Sequence, residues 1–305
     1  MKHDNWTTDN MPDLSGKIII VTGGNSGLGY ESVKAFAEKN AEVILACRNT
    51  EKGEAAKAEL LAQAPDAKIV VKKLDLMDLA SIEKFATEIK HNYTQLNVLL
   101  NNAGIMSTPY FTTNDGLEAQ NGTNHYGHFA LTGQLMDLIK ATPKSRVVNV
   151  SSMAHKWGKM DFNNPLFENG KGYTPMKSYS RSKLSNLLFT YELQRWFDTH
   201  KIDAMALATH PGISKTNLDR YMRTKISFKL LMPLAKLITQ SQDWGALPQI
   251  RAAADPAVKP AEYYGPHRGM KGYPVVVESN NASHSMEDAK KLWELSEAIT
   301  KVTFK

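Results

Sequence analysis

The stretch Thr22-Gly23-Gly24-Asn25-Ser26-Gly27-Leu28-Gly29 decides the fold of this chain. It follows the apolar run Lys17-Ile18-Ile19-Ile20-Val21 and precedes a helical stretch from Tyr30 to Asn40. Glycines in such a turn permit positive φ angles and let the backbone approach a pyrophosphate closely. The start of the following helix presents unpaired N–H groups and partial positive charge to phosphates. In this strand–turn–helix context the motif predicts a dinucleotide-binding fold, with an ordinary glycine-rich turn as the alternative.

The rest of the chain repeats this alternation of short apolar runs and amphipathic helices. Six further runs are predicted as strands: 42–46, 68–71, 97–100, 146–150, 202–207 and 274–277. Because helical stretches separate them, the strands should be parallel, with helices on both faces of the sheet. The sequence therefore predicts an α/β, doubly wound Rossmann fold with a mostly parallel sheet of about seven strands.

Composition narrows the class of protein. The 305 residues include 42% hydrophobic and 22% charged residues, which is typical of a globular chain. The single cysteine, Cys47, excludes an intrachain disulfide and any site built from several cysteines, and it suits a reducing compartment. Lys and Arg outnumber Asp and Glu by 37 to 31, but they are scattered, so anionic small molecules are favoured at least as much as nucleic acid.

The domain organisation is predicted as a flexible tail over residues 1–13 and a single catalytic domain over 14–305. The tail is polar and lacks the apolar core of a signal peptide, and no window of the chain is apolar enough to span a membrane. We therefore expect a cytoplasmic protein with no integral membrane segment. Two segments, near 153–178 and 216–245, exceed what a minimal domain needs and are predicted as substrate loops, with a surface excursion or simple core packing as the alternatives.

The residue after the second strand bears on the choice of dinucleotide. NAD enzymes usually place a carboxylate there for the ribose 2′-hydroxyl, whereas this chain reads Ala46-Cys47-Arg48-Asn49. The guanidinium of Arg48 can form a charge-assisted fork with a 2′-phosphate, unless it is simply a solvated arginine. NADP(H) is the predicted cofactor, with NAD(H) as the alternative.

Other strand ends supply further candidate contacts to the cofactor. Asp75, in Leu74-Asp75-Leu76, is placed to meet an adenine edge, although it could instead cap the next helix, a role that Asp78 can also take. Asn101-Asn102-Ala103-Gly104 closes the fourth strand with residues small enough for a cofactor ribose to approach, or with an asparagine that caps a turn.

The candidate reacting group is a tyrosine four residues before a lysine. In Tyr179-Ser180-Arg181-Ser182-Lys183 the spacing puts the phenol and the ammonium on one helix face, where the cation should lower the pKa of Tyr179. A phenol with such a pKa can act as general acid for a carbonyl or as general base for an alcohol. Ser151-Ser152, after the fifth strand, can donate a hydrogen bond to the substrate oxygen, and Asn124, in mid-helix, suits a polar network.

Two histidines invite a metal assignment that the sequence does not favour. His125 and His128 have i, i+3 spacing, but no third ligand lies nearby in the sequence. Packed or hydrogen-bonded histidines are therefore the favoured interpretation, and no metal is predicted.

The ordered motifs resemble those of the short-chain dehydrogenase/reductase family, within it the retinol dehydrogenase-like and protochlorophyllide reductase-like branch, over roughly residues 14–280. The matching stretches are Thr22-Gly23-x-x-x-Gly27-x-Gly29, Asp75-Leu76, Asn101-Asn102-Ala103-Gly104, Asn124-His125-x-Gly127-His128-Phe129, Ser151-Ser152, Tyr179-Ser180-Arg181-Ser182-Lys183, and His210-Pro211-Gly212 followed by Thr216. The membrane-bound retinol dehydrogenases of this branch carry an N-terminal hydrophobic anchor that this sequence does not show, which weakens retinol as the expected substrate.

The resemblance implies a catalytic tetrad of Asn124, Ser152, Tyr179 and Lys183. Tyr179 would exchange the proton with the substrate oxygen and Ser152 would orient that oxygen. Lys183 would hold the nicotinamide ribose, and Asn124 would anchor a water that relays protons to Lys183. The cofactor contacts expected from the motifs are Gly23, Asn25, Ser26, Gly27, Leu28, Gly29, Arg48, Asp75, Leu76, Asn102, Ala103, Gly104, Tyr179, Lys183, Pro211, Gly212 and Thr216.

The function expected from the sequence is oxidoreduction of a small molecule. The leading hypothesis is an NADP-preferring enzyme that interconverts an alcohol, expected to be lipophilic, and its aldehyde or ketone. The alternatives are reduction of a carbon–carbon double bond and a non-catalytic dinucleotide sensor. No nucleic-acid partner is expected, and the chain is predicted to be a homodimer or a monomer.

Overall fold

The computed structural model of this chain describes residues 5–214 and 239–305. Thr216 and most of the predicted 216–245 loop lie outside the described residues, so the prediction of a substrate loop there stays a prediction.

One sheet of eight strands organises the described residues, in the order β3-β2-β1-β4-β5-β6-β7-β8. The strands are β1 (Ile18–Thr22), β2 (Glu42–Cys47), β3 (Lys68–Lys73), β4 (Val98–Asn101), β5 (Ser145–Val150), β6 (Ala204–Thr209), β7 (Tyr263–Pro266) and β8 (Pro274–Val276). Neighbouring strands are parallel throughout except for β7 and β8, which are antiparallel. The predicted doubly wound, mostly parallel sheet is confirmed, with one strand more than the seven expected.

The additional strand is β7, which the sequence did not reveal. Its residues Tyr263-Tyr264-Gly265-Pro266 include a glycine and a proline, which are typical of turns rather than of strands. The strand forms because Tyr263 and Tyr264 pair with the last two residues of β6, while the Pro266 end pairs with β8.

Helices cover both faces of the sheet. They are α1 (Gly27–Glu38), α2 (Thr50–Gln63), α3 (Leu79–Asn92), α4 (Ala119–Asn121), α5 (Gly127–Gln134), α6 (Met136–Ala141), α7 (Pro175–Thr199), α8 (Gln242–Ala254) and α9 (Met286–Thr300). A π-helical turn, Gly122–Tyr126, joins α4 to α5. Among the helices that the structure describes, none combines the length and hydrophobicity of a segment that crosses a bilayer.

The apolar run of β1 is continuous because both of its faces are buried. Ile19 and Val21 belong to one core cluster, which also contains residues of α1 and α8. Ile18 and Ile20 belong to a second cluster, formed with α3, α5 and α7. Alternate residues of a strand face opposite sides, so a strand between two helical layers needs apolar side chains at every position.

Part of the N-terminal segment, which the sequence predicts as a flexible tail, packs against the domain. Within residues 5–13, the side chains of Trp6 and Met11 are buried in the first core cluster, and Thr7 caps a short 3₁₀ turn, Thr8–Asn10. The ring of Trp6 also packs 5.7 Å from the guanidinium of Arg251. Because the segment is polar overall, its sequence did not indicate that Trp6 and Met11 pack in the core.

Candidate active site

A cavity of about 440 Å³ opens at the carboxyl-terminal edge of the sheet, where β1, β2, β4 and β5 end. In open α/β sheets, ligands bind at this edge, close to the point where the strand order reverses. Of the cofactor contacts expected from the motifs, every one within the described ranges lines this cavity except Gly212. Several lining residues were not singled out from the sequence, among them Met77, Met106, Phe111 and Thr123.

The glycine-rich turn forms part of the cavity wall. Gly23 and Gly27 have φ angles of +67° and +59°, a region that L side chains rarely adopt. A Cβ atom on Gly29 would overlap the carbonyl oxygen of Gly23 and lie 2.7 Å from the amide nitrogen of Asn102. The turn thus presents bare backbone ahead of α1, and this shape fits the pyrophosphate of a dinucleotide.

Thr22 and Asn102 tie this turn to the end of β4. The hydroxyl of Thr22 accepts hydrogen bonds from the backbone N–H groups of Asn102 and Ala103, each at 2.9 Å. The amide nitrogen of Asn102 donates to the carbonyl of Thr22 at 2.7 Å, and its oxygen accepts from Gln249 at 3.1 Å. Asn102 therefore holds two cavity-lining segments together with its side chain.

Arg48 and Asp75 also line the cavity. Arg48 is exposed on the cavity wall, and its guanidinium lies 3.8 Å from the sulfur of Met77. Its neighbour Asn49 caps α2 by accepting from the N–H of Lys52 at 2.8 Å. No carboxylate occupies positions 46–49, so the guanidinium is the charged group that follows β2.

Asp75 and Asp78 have separate roles. Asp78 caps α3 by accepting from the N–H of Ser81 at 3.1 Å, and this hydrogen bond lowers the pKa of the Asp78 carboxyl. Asp75 accepts from the N–H of Met77 at 3.0 Å and lines the cavity. Because Asp78 supplies the cap, Asp75 remains on the wall where the sequence placed a contact to an adenine edge.

Tyr179 and Lys183 lie on the same buried face of α7. The ammonium of Lys183 is 5.7 Å from the centre of the Tyr179 ring and donates to the carbonyl of Val150, the last residue of β5, at 3.0 Å. Burial lowers the pKa of Lys183 to about 8, because the charged ammonium loses its water. Both side chains line the cavity.

The pKa of Tyr179 differs from the expectation drawn from its spacing to Lys183. Burial raises the pKa of the phenol, and a hydrogen bond with Ser152 opposes this rise. The ammonium of Lys183 donates to the backbone carbonyl of Val150 in β5. In this structure desolvation of the phenolate therefore outweighs any effect of the nearby cation.

The two serines after β5 make different contacts. Ser151 lines the cavity, and its hydroxyl donates to the backbone carbonyl of Lys183 at 2.7 Å. Ser152 hydrogen-bonds to Tyr179 and caps the following 3₁₀ turn by accepting from the N–H of Ala154 at 3.2 Å. The carbonyl of Ser152 lies 2.6 Å from Nδ1 of His155, a residue that the sequence did not point to.

Asn124 lies in the π-helical turn, with its side chain fully engaged. Its amide nitrogen donates to the carbonyl of Ile105 at 3.0 Å and to the hydroxyl of Ser182 at 2.9 Å, and its oxygen accepts from the N–H of Ile105 at 2.9 Å. The backbone carbonyl of Asn124 lies 3.1 Å from Nδ1 of His128. Asn124 thus joins the loop after β4 to α7, as its polar character in mid-helix predicted.

The histidines of this helix are held by hydrogen bonds. Nε2 of His128 lies 2.9 Å from the hydroxyl of Thr22, and Nε2 of His125 lies 2.9 Å from the hydroxyl of Ser296 in α9. Burial lowers the pKa of His125 to about 3 and that of His128 to about 4, so both rings are neutral at physiological pH. Within residues 5–214 and 239–305, no group of three or more His, Cys, Asp or Glu side chains could hold a metal ion.

No residue of the segment 153–178 lines the described cavity, and the prediction of a substrate loop there stays a prediction. Met160 and Phe162 pack against Leu184 and Leu188 of α7 and against α9. Arg181 of α7 is buried, stacks 4.0 Å from the ring centre of Phe167, and donates to the carbonyls of Asn164 and Pro165. The segment forms a small core of its own, which was the alternative interpretation.

Among the described residues of the loop after β6, Pro211 reaches the cavity. Pro211 lines the cavity, and its carbonyl accepts from Ser214 and Gln240, each at 2.9 Å. Gly212 has a φ of +63°, and its N–H donates to Nδ1 of His210 at 3.2 Å. Gly212 therefore shapes the loop without contributing to the wall.

Comparisons with known proteins agree with this geometry. Residues 17–165 match the family model described as short chain dehydrogenase. The chain is 35% identical over 285 residues to human Retinol dehydrogenase 13, which covers 92% of this chain and 83% of that protein. It is 36% identical over 302 residues to mouse Retinol dehydrogenase 14, which covers 94% of this chain and 86% of that protein.

Solved structures of other proteins share the fold. An uncharacterized protein from Mycobacterium paratuberculosis is 38% identical, with a TM-score of 0.82 and coverage of 99% of both chains. A short chain dehydrogenase from Shigella flexneri complexed with NADP is 20% identical, with a TM-score of 0.63 and coverage of 84% of this chain and 98% of that one. The fold and the shape of the turn thus support a nicotinamide dinucleotide as cofactor. The chain belongs to the short-chain dehydrogenase/reductase family, is similar to its retinol dehydrogenases, and is an oxidoreductase that acts on CH–OH groups.

Proposed function

We propose that this enzyme prefers NADP(H) and interconverts a lipophilic alcohol and its aldehyde or ketone, with Tyr179 as the general acid and base. The observation that carries the proposal is the position of Tyr179 and Lys183. Both are buried on one face of α7, and both line the same cavity as the glycine-rich turn. Hydride exchange at a carbon–oxygen bond requires a proton-transfer group in the same cavity as the bound dinucleotide.

The side chains divide the work at the reacting oxygen. A bound nicotinamide supplies or accepts the hydride. Because burial raises the pKa of Tyr179, its phenol is protonated at neutral pH and can donate to a carbonyl oxygen. Ser152, which hydrogen-bonds to Tyr179, orients that oxygen, and Lys183, with a pKa of about 8, can return a proton to the site.

The remaining contacts bind the cofactor. The glycine-rich turn holds the pyrophosphate, Asp75 meets the adenine edge, and Lys183 holds the nicotinamide ribose. The exposed guanidinium of Arg48 binds the 2′-phosphate that distinguishes NADP from NAD. The absence of a carboxylate at positions 46–49 supports this preference, because a carboxylate there would repel the phosphate.

A lipophilic substrate is supported by the apolar residues around the cavity. Ile105, Met106 and Phe111 all contribute to its wall. Thioethers and aromatic rings adapt to apolar ligands of varied shape. The names of the similar retinol dehydrogenases point to the same chemical class, an alcohol on a hydrocarbon skeleton.

The proposal is tested by replacing Tyr179 with Phe. A panel of lipophilic aldehydes and ketones with NADPH, followed by the loss of cofactor absorbance, should show kcat/KM lowered by about 10²- to 10⁴-fold. The matched control is Tyr191→Phe, because Tyr191 is also a buried tyrosine of α7 but bonds to Ser279 away from the cavity. Unchanged turnover in Tyr179→Phe would refute the role of Tyr179, and turnover of enones alone, with saturated products, would favour double-bond reduction.

The cofactor preference has its own test. Arg48→Ala should raise the Kd for NADPH by about 10- to 100-fold and leave the Kd for NADH within about twofold, since only NADPH carries the phosphate. Lys52→Ala is the control, because Lys52 is an exposed cation of α2 that does not line the cavity. Equal losses for both dinucleotides would overturn the preference for NADP.

A further inference from the structure

Thr123 lines the cavity and has a buried hydroxyl without a hydrogen-bond partner among the described residues. The residue lies in the π-helical turn and is only 6% exposed. Its Oγ1 atom is buried and has no partner, and the residue lines the cavity. Buried hydroxyls in folded proteins are nearly always paired, so an unpaired one on a cavity wall indicates a missing partner.

Other threonines of the chain show what is unusual about Thr123. The hydroxyls of Thr132, Thr190 and Thr300 each donate to the carbonyl four residues earlier in their own helix, at 2.7 Å. The corresponding carbonyl for Thr123 belongs to Ala119, and the hydroxyl of Thr123 does not donate to it. The hydroxyl of Thr123 is therefore left without an acceptor in its own helix.

The position of the π-helical turn indicates which part of a ligand the hydroxyl meets. Gly127, four residues after Thr123, packs against Leu76, because a Cβ on Gly127 would lie 3.1 Å from the Cβ of Leu76. Leu76 is next to Asp75 and to Met77, whose sulfur lies 3.8 Å from the guanidinium of Arg48. Through Gly127, the helical segment that carries Thr123 thus packs beside the residues proposed to bind the adenosine half of the dinucleotide.

We propose that the hydroxyl of Thr123 forms a hydrogen bond with the adenosine half of the bound dinucleotide and determines cofactor affinity. This inference rests on the proposed function, since it requires that the cavity bind a dinucleotide. Adenine and ribose both offer nitrogen or oxygen acceptors to a threonine hydroxyl. Folding removes water from the hydroxyl without giving it a protein partner. Binding of the dinucleotide would supply that partner, so the free-energy cost of desolvation is compensated only in the complex.

The test compares Thr123→Val with Thr123→Ser. Valine keeps the shape and removes the hydroxyl, whereas serine keeps the hydroxyl. Fluorescence titration of the full-length protein with NADPH, and calorimetric titration with 2′,5′-ADP as the adenosine half alone, should show Kd values raised by about 3- to 10-fold in Thr123→Val. Thr123→Ser should bind both ligands within about twofold of the wild type.

Thermal unfolding without cofactor separates this role from a structural one. Thr123→Val should melt at the same temperature as the wild type or higher, because it removes an unpaired buried hydroxyl. The control Thr300→Val removes a paired hydroxyl of similar burial and should melt at a lower temperature with unchanged Kd values.

Three results would overturn the inference. One is unchanged Kd values in Thr123→Val, and another is a lowered melting temperature, which would show that the hydroxyl already has a partner. The third is a loss of NADPH affinity with full retention of 2′,5′-ADP affinity, which would place the hydroxyl at the nicotinamide half. If the wild type bound neither dinucleotide nor 2′,5′-ADP, the proposed function itself would be refuted, and this inference with it.

Discussion

Two faces of the helix α7 contrast in what they bury. One face carries Tyr179 and Lys183, whose charged forms are disfavoured by burial. Another face carries Phe189, which packs in a cluster of aromatic rings with Phe129 and Trp293. The ring centres of Phe129 and Phe189 are 5.3 Å apart, and those of Phe129 and Trp293 are also 5.3 Å apart.

The contrast indicates a division between function and stability within one element. A buried ammonium loses hydration that one hydrogen bond to Val150 replaces only in part. A cluster of aromatic rings instead contributes the hydrophobic effect and favourable ring contacts. The aromatic face should therefore stabilise the helix that holds the reactive face in place, and substitutions should separate the two contributions.

The largest effect is expected from Lys183→Met. Removal of the ammonium should lower kcat/KM by about 10³-fold, as for loss of a proton-transfer partner. At pH 7 the same variant should have a free energy of unfolding about 1–3 kcal/mol higher than the wild type, because the unfavourable burial of the charge disappears. Val150 would keep a hydrogen bond from Asn186, so its carbonyl is not orphaned. Enzyme assays and denaturant titrations measure the two quantities.

The pH dependence of this stability difference provides the control. The pKa of Lys183 is about 8 in the folded protein, against an ordinary value of 10.5. Below pH 8 the lysine is charged in both states, and the folded state bears the full free-energy cost of burying that charge. Between pH 8 and 10.5 this cost falls, because the lysine of the unfolded chain increasingly loses its proton as well. The advantage of Lys183→Met should therefore shrink as pH rises through this window, and a constant advantage would contradict the explanation.

Phe189→Ala addresses the other face. Removing a ring that is 4% exposed should lower the free energy of unfolding by about 3–4 kcal/mol, through lost hydrophobic burial and the cavity that remains. Well below the melting temperature, kcat/KM should stay within about threefold of the wild type. Phe189→Leu is the matched control and should lose less stability. A loss of activity as large as that of Lys183→Met would show that the two faces are not separable.

The features that the sequence predicted depend on short-range spacing. The turn from Gly23 to Gly29 and the pair Tyr179 and Lys183 are each contained within a few residues, so their geometry follows from one turn or one helix. The features that it did not predict depend on contacts between distant segments. Trp6 packs against Arg251, β7 pairs with β6, and the raised pKa of Tyr179 reflects burial by the whole fold. No local pattern encodes such contacts.

Arg181→Lys tests a residue of α7 that stabilises the fold although it is charged. Arg181 donates through Nη1 to two carbonyls of the segment 153–178 and stacks on Phe167. A lysine lacks the planar fork, so we expect a loss of about 2 kcal/mol and faster proteolysis within that segment. Proteolysis followed by mass spectrometry measures the second effect. If cleavage were equally slow in both proteins, the guanidinium would not be what holds the segment.

The smallest effect is expected at the edge of the aromatic cluster, where Phe304 and Lys140 both hold the C-terminal segment. The ring of Phe304 lies 4.9 Å from Phe129 and 4.5 Å from Trp293, whereas the ammonium of Lys140 donates to the backbone carbonyl of Lys305 at an exposed site. An exposed polar contact competes with water, so Lys140→Ala should lower the free energy of unfolding by less than about 0.5 kcal/mol. Phe304→Ala should cost clearly more, because the ring loses contacts that water does not replace. Denaturant titrations of both variants measure the two contributions. A larger loss of stability in Lys140→Ala would mean that the polar contact holds the C-terminal segment. The aromatic cluster that includes Phe189 of α7 would then not be what stabilises this segment.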